Sequence, residues 1–218
     1  MVGFCAPPRG VGLFLVLPVL GLLVFSSFLK AREEHPAAEL DSAHVVFESG
    51  DIVFRRGTGL LSQAVLSADV DSTFSHTGIV YLIDGVPFVV HASPGESLAH
   101  PSKLKVDSMA EFLEPASAAA VYRARTDSEA LGRRAAERAY AYALEGRLFD
   151  TQLDLGTDEA LYCTELVWKS YLAAGLDLVD GELDRLAGPL FHKSCLLPSR
   201  LQASPHIRQI ETFSRRTQ

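Results

Sequence analysis

Dense clusters of positive charge are missing from this 218-residue chain, which carries 20 Lys and Arg against 27 Asp and Glu for a net charge of -7. Binding along a nucleic-acid backbone needs clustered cations on phosphates, so that class of partner is excluded. Cysteine is scarce as well: Cys5, Cys163 and Cys195 are too few for a disulfide-stapled scaffold. Cys5 precedes a long apolar run and would lie on its other side or be removed with it. That leaves Cys163 and Cys195 as the one pair an oxidising compartment could join, and a disulfide there would consume both thiols. No Cys/His pattern has zinc spacing, no glycine-rich loop is built for phosphates, and no segment repeats. His76, His91 and Cys163 could ligate a metal, but a structural site wants a fourth ligand and none suggests itself. No cofactor is expected.

Long hydrophobic stretches are confined to one place. Residues 11–29 are almost continuously apolar, with Arg9 before them and Lys30 and Arg32 after. At about 1.5 Å rise per residue the run just spans a bilayer core of roughly 30 Å. It equally suits a secretory leader, with Val24 and Ser26 as a small-residue cleavage pattern. Flanking charges oppose one another and leave the orientation open. Polar residues 32–42 separate the run from everything that folds, which argues against a buried helix. The chain therefore divides into a signal peptide or membrane anchor over residues 1–31, a polar linker over 32–43, one globular domain over 44–213 and a tail over 214–218. Export to the cell envelope is the expectation, with the membrane as a partner where the run is retained.

The domain alternates short extended runs with amphipathic helices, an α+β pattern. Residues 45–47 and 51–54 read as extended segments turned at Ser49, Gly50 and Asp51, with Asp51 as a turn residue. Residues 60–68 suit a short helix capped by Thr58. Two strand-like runs, 77–83 and 86–91, meet at Asp84-Gly85, a strong hairpin signal because both loop residues of a type I′ turn need positive φ. The register then pairs Ile83 with Val86, Tyr81 with Phe88, Ile79 with Val90 and Gly78 with His91. His76 falls on the same face as His91, at a diagonal of roughly 7–8 Å, with Gly78 leaving the space between them open. A three-residue loop would slip the register by one and send the rings to opposite faces. Pro87 suits only a non-donating position in such a pair.

Residues 92–120 are irregular, interrupted by Pro94, Pro101 and Pro115, with a short helix at 108–113 and Glu96 and His100 as solvated residues of a loop beside the hairpin. A strand at 118–124 precedes a helix with capping-box spacing at Thr126 and Glu129, one apolar face of Leu131, Ala135, Ala139 and Tyr142, and an end near Gly146. A second helix carries Tyr162-Cys163-Thr164-Glu165-Leu166-Val167, buries Val167, Tyr171 and Ala174, and stops at Gly175. Glu165 and Lys169 have the i,i+4 order of a modest surface ion pair. Residues 180–218 read as loop, a turn at 199–202 and a final strand at 206–210.

An isolated cysteine is most often a small buried hydrophobe. At the start of a helix it is also where the partial positive charge of the terminus favours the thiolate, an effect confined to the first turn. A cap at Asp158 would put Cys163 in the second turn and a start at Tyr162 in the first. With His76 and His91 paired on one face, Cys163 completes a nucleophile, base and orienting group, the set that acyl transfer to water or an amine requires. The backbone N–H of Cys163 would meet the developing oxyanion.

These stretches, with Gly50-Asp51-Ile52-Val53-Phe54-Arg55, Ser75-His76-Thr77-Gly78-Ile79-Val80 and Val90-His91-Ala92, resemble the permuted papain-like amidases that include YaeF and YiiX. That family looks like a circularly permuted branch of the NlpC-type cell-wall peptidases, with histidine preceding cysteine. The resemblance covers roughly Gly50 to Ile210. It implies a papain-like α+β fold, an antiparallel sheet or small barrel packed on the cysteine helix. It also implies Cys163 as nucleophile, His76 as base and His91 in a third position that many relatives fill with glutamate, while the flanking Tyr162 and Ser75 become candidates for substrate binding. The function so implied is an exported cysteine hydrolase that cleaves amides, cell-wall peptides among them, through an acyl-enzyme. A lipid acyl hydrolase or acyltransferase of related permuted fold, or a non-catalytic binding module, are the alternatives.

Overall fold

The computed structural model describes residues 44–94, 102–126, 128–188 and 191–214. The apolar run at 11–29, the linker, Cys5, Glu96, His100 and tail residues 215–218 lie outside the described residues. Ten strands and five helices follow in chain order among the described residues. They are β1 (Ile52–Gly57), α1 (Leu60–Ala68), β2 (His76–Ile83), β3 (Val86–His91), β4 (Lys105–Ser108), α2 (Met109–Leu113), β5 (Ala116–Ala124) and α3 (Glu129–Leu144). After these come β6 (Leu148–Phe149), β7 (Ala160–Leu161), α4 (Cys163–Ala174), β8 (Asp184–Gly188), β9 (Phe191–Cys195), α5 (Pro198–Gln202) and β10 (Ile207–Ser214). Six strands form one antiparallel sheet in the order β10-β5-β1-β2-β3-β4. No helix among the described residues is long and apolar enough to cross a membrane.

Alternation along the strands gives the sheet two apolar faces. Ile52, Phe54, Ile79, Val90 and Tyr122 face one way, onto Ala135, Ala139 and Tyr142 of α3 and Leu166, Val167 and Tyr171 of α4. Val53, Val80, Val89 and Val121 face the other way, onto Met109, Phe112 and Leu113 of α2. Each fully buried large apolar side chain contributes roughly 1.5–3 kcal/mol, so the two faces anchor helices on both sides of β1 and β2.

The β2–β3 hairpin has the expected register, Ile79↔Val90, Tyr81↔Phe88 and Ile83↔Val86. Its turn places Asp84 at φ 51° and Gly85 at φ 80°, as a type I′ turn demands. Other elements depart from the sequence reading. Strand β4 and the β8–β9 hairpin occupy stretches expected to be loop. Residues 45–47 form no strand, although Val45 and Phe47 pack on the second face. Helix α1 starts after Gly59 instead of Thr58, and α3 starts after Ser128, whose N–H donates to Thr126 Oγ1 at 3.1 Å. Helix α1 has no buried residue, and Leu60 is 91% exposed. Asp51 is more than a turn residue: its buried carboxylate accepts from the Glu48 N–H at 2.8 Å and from Arg123 Nε and Nη2 at 2.7 and 2.8 Å.

The turn before β1 meets α3 at two glycines, Gly50 at φ 101° and Gly132. A Cβ on Gly50 would stand 2.4 Å from the Gly132 Cα. Gly50→Ala is therefore expected to cost about 1–3 kcal/mol from overpacking and about 1–2 kcal/mol from the left-handed backbone, read as a lower urea midpoint. Gly59→Ala, with φ −76° and open space around it, should shift stability by less than about 0.5 kcal/mol. Equal midpoints for the two variants would refute this account of the contact.

Candidate active site

Arg55 on β1 pairs with His76 at the start of β2. His91 ends β3, and Asp107 on β4 pairs with Val89. Strand alternation puts all four side chains on the sheet face that α2 covers. There the His76 Nε2 lies 2.9 Å from His91 Nδ1, and His91 Nε2 lies 2.9 Å from Asp107 Oδ2. The Phe112 ring stacks on His76 at 5.6 Å between centroids and meets His91 edge-on at 5.1 Å. Gly78 keeps this packing possible, since a Cβ there would fall 2.5 Å from Val89 Cγ1 and 3.0 Å from His91 Cβ.

Hydrogen-bond direction follows from the acid end. The hydrogen bond from His91, outweighing partial burial, holds Asp107 below its ordinary value, so the carboxylate is ionised and only accepts. His91 Nε2 therefore donates, which leaves its Nδ1 as an acceptor. His76 Nε2 must then donate, and the His76 Nδ1 carries a free lone pair. Both rings are neutral. Burial lowers the His91 pKa against the raising effect of Asp107, and burial, then Arg55, His91 and Lys105, push His76 well below 6.5.

Cys163 is the first residue of α4, with Tyr162 as the cap. The Glu165 carboxylate accepts from the Tyr162 N–H at 3.2 Å, closing the capping interaction. The helix start at Tyr162 thus puts the cysteine in the first turn. The backbone N–H groups of Thr77, Thr164 and Cys163 itself, and the charge of Arg55, pull the thiol pKa down, yet burial outweighs them all and raises the thiol above 9.0. The resting group is a thiol, contrary to the expectation that the helix terminus would favour thiolate: its partial charge does not offset desolvation here.

Thr77 is the strand residue whose backbone acts on the thiol. Val80 N donates to Asp51 O at 2.7 Å on the β1 side, so alternation turns the Thr77 N–H toward β3. The β2–β3 ladder ends at Ile79↔Val90, which leaves Thr77 beyond the last pair. Thr77, whose backbone acts on the thiol, directly follows His76 at that end of the sheet. Among the described residues no hydrogen bond joins the thiol to the His76 ring.

Tyr162 and Ser75, the candidates for substrate binding, are both buried and bonded to backbone. The Tyr162 hydroxyl accepts from the Leu196 N–H at 2.8 Å, and Ser75 Oγ accepts from the Gly57 N–H at 3.0 Å. Glu165, expected in a surface pair, is 0% exposed. One of its oxygens lies 3.0 Å from Lys169 Nζ but off the hydrogen-bond direction, and burial, against the pull of Lys169, pushes its pKa up to about 7. Cys163 and Cys195 are both free thiols, and burial raises Cys195 to about 11. Sequence reasoning missed Asp107, Arg55, Thr77 and Phe112 as members of the site. Arg55 lay inside a recognised motif without a role, whereas Asp107 sat in a stretch with no periodic signal.

A family model described as permuted papain-like amidase enzyme, YaeF/YiiX, C92 family, matches residues 46–206. Among solved structures, the crystal structure of the metalloprotein YiiX from Escherichia coli O157:H7 superposes with a TM-score of 0.64 at 22% identity, covering 77% of this chain and 98% of that one. No curated protein matches the chain. That neighbour is described as a metalloprotein, but the described residues of this chain do not fit a metal. Among the described residues no group of three or more His, Cys, Asp or Glu could hold one. The nitrogens of His76 and His91 point at each other and at Asp107 instead of converging on one point at about 2 Å. With the matched span running from the segment before β1 to the start of β10, and histidine strand preceding cysteine helix, the chain belongs to the permuted papain-like amidase family.

Proposed function

We propose that this protein is an exported cysteine amidase acting on cell-wall peptides or related amides, with Cys163 as nucleophile, His76 as base and His91 as the group that orients it. The observation that carries this reading is the hydrogen-bonded row Asp107–His91–His76, which leaves a lone pair on His76 Nδ1 at the start of β2, next to Thr77, whose backbone acts on the thiol. Nδ1 takes the thiol proton as the sulfur attacks the amide carbon. The backbone N–H groups of Cys163 and Thr77, both of which act on the sulfur, are the donors that would meet the oxyanion. Collapse of the adduct breaks the C–N bond, and Nδ1–H protonates the departing amine. Water then attacks the thioester, gives a proton to Nδ1, and the thiol is restored as the acid leaves.

The absence of a resting bond between thiol and imidazole is compatible with this cycle, because such bonds tighten on substrate binding. Tyr162, Thr164 and Ser75 support the site: Thr164 Oγ1 donates to Leu196 O at 2.6 Å while the Tyr162 hydroxyl accepts from the same residue. Export rests on the apolar run at 11–29.

The direct test offers muropeptides and acyl lipids to the full-length protein. Peptide cleavage is expected, lost by about 10⁴-fold or more in Cys163→Ala and in His76→Ala, with no further loss when both are combined. Turnover of acyl lipids alone would move the reading to the lipid alternative, and undiminished turnover in Cys163→Ala would end both. Asp107→Asn should lose about 10–100-fold, the lower range of acid–base effects, because it acts through His91.

The pH profile follows from the direction of the His76 shift. A base must be unprotonated, and a value depressed below 6.5 delays its protonation to more acid solution. The acid limb of kcat/KM is therefore expected below pH 6.5, and no thiolate absorbance should separate wild type from Cys163→Ser at neutral pH. An acid limb above that value, or a clear thiolate signal, would replace the neutral pair with an ion pair.

A further inference from the structure

The guanidinium of Arg55 lies on the sheet face of the histidine row, acts through its charge on the thiol, and among the described residues forms no ion pair. It lies over the Phe112 ring at 4.6 Å and donates from Nη1 to the Phe112 carbonyl oxygen. Its Nε is buried with no hydrogen-bond partner. Among the described residues Nη2 has no bond either, and no carboxylate forms an ion pair with the group. Asp107 is the strongest negative charge acting on it, ahead of Cys163 and Glu114, and the Asp107 Oδ2 is itself bonded to His91. Lys105 adds a second positive charge on the same side of the site. Ordinarily a desolvated cation is paired. Here an aromatic face and a carbonyl oxygen hold the guanidinium flat without neutralising it.

We propose that Arg55 forms an anion subsite next to Cys163 and selects amides that carry a carboxylate close to the scissile bond. This inference rests on Cys163 being the nucleophile. A planar guanidinium with an unbonded edge suits a carboxylate, and fixing it in advance removes the ordering cost of binding. The fully buried Phe112 holds the Arg55 guanidinium and both imidazoles, so the charge and the base are located by one residue. Arg55 is thereby a specificity residue for the acyl or amine portion of the substrate, distinct from the row that moves the proton.

Two alkylating reagents of the same size, iodoacetate and iodoacetamide, test this without knowledge of the substrate. Both react with the Cys163 sulfur by displacing iodide, and they differ in the carboxylate. The rate ratio of the two at Cys163, read by peptide mass spectrometry, cancels any effect of Arg55 on the thiol itself. Wild type should show a ratio at least about 10-fold above that of Arg55→Gln, with Arg55→Lys between them, a factor that corresponds to 1.4 kcal/mol. Cys195 should show no such change. In wild type alone, labelling by iodoacetate should saturate with concentration while labelling by iodoacetamide stays linear, a result that needs no variant to fold. Equal ratios in wild type and Arg55→Gln, or linear labelling by both reagents in wild type, overturn the subsite. Failure of Cys163 to react with either reagent instead overturns the nucleophile on which it rests.

Discussion

Much of the chemistry open to this site depends on one directional constraint, the hydrogen bond between Asp107 and His91. An ionised carboxylate cannot donate, so the proton on His91 Nε2 is fixed, and the tautomer of His76 is fixed in turn through a second bond of the same length. Without the carboxylate, the row could reverse and leave His76 Nδ1 protonated, with no lone pair for a thiol. The sheet supplies the geometry: three adjacent strands each present one residue on the same face, and register sets the spacing. Phe112 closes the row from above and excludes water that would compete for the same nitrogens.

Burial then decides which protonation states the row and the thiol adopt. Desolvation raises Cys163 and lowers His76, and both shifts favour neutral partners over a thiolate–imidazolium pair. Three backbone N–H groups and Arg55 pull the sulfur the other way without prevailing. A neutral pair stores less reactivity at rest, but in the proposed mechanism it is ready for proton transfer during attack, when charge would develop next to those same donors.

Features set by local chemistry were legible in the sequence. The Asp84-Gly85 turn yields the β2–β3 register, and the register yields the histidine pair. Helix α4 and its stop at Gly175 follow from the apolar stripe and the glycine. What required pairing between distant strands was not legible. Lys105, Val106, Asp107 and Ser108 include one apolar residue, as suits an edge strand that discourages further pairing, so β4 gave no periodic signal. Arg55 meets His76 only through the β1–β2 register, which no turn sets, because α1 and a polar loop intervene. The burial of Glu165 was hidden for another reason: an i,i+4 partner looks the same in sequence whether the carboxylate is wet or capping a buried helix start.

Placing a second imidazole between His76 and the carboxylate also changes the electrostatics of the cleft. A carboxylate bonded directly to His76 would stabilise its protonated form by about 4 kcal/mol at an effective dielectric near 20, and roughly doubling the distance halves that. The interposed His91 transmits orientation while weakening the charge, so burial and the neighbouring Arg55, His91 and Lys105 prevail and keep His76 neutral. The same bond commits Asp107 Oδ2 to His91, while the carboxylate still contributes to the field at Arg55. Had a carboxylate closed on the guanidinium, the field beside Cys163 would be cancelled and no anion would be drawn to it. The relay and the proposed anion subsite therefore draw on one arrangement: the carboxylate is set one imidazole away from His76, and the guanidinium over Phe112 makes no ion pair among the described residues.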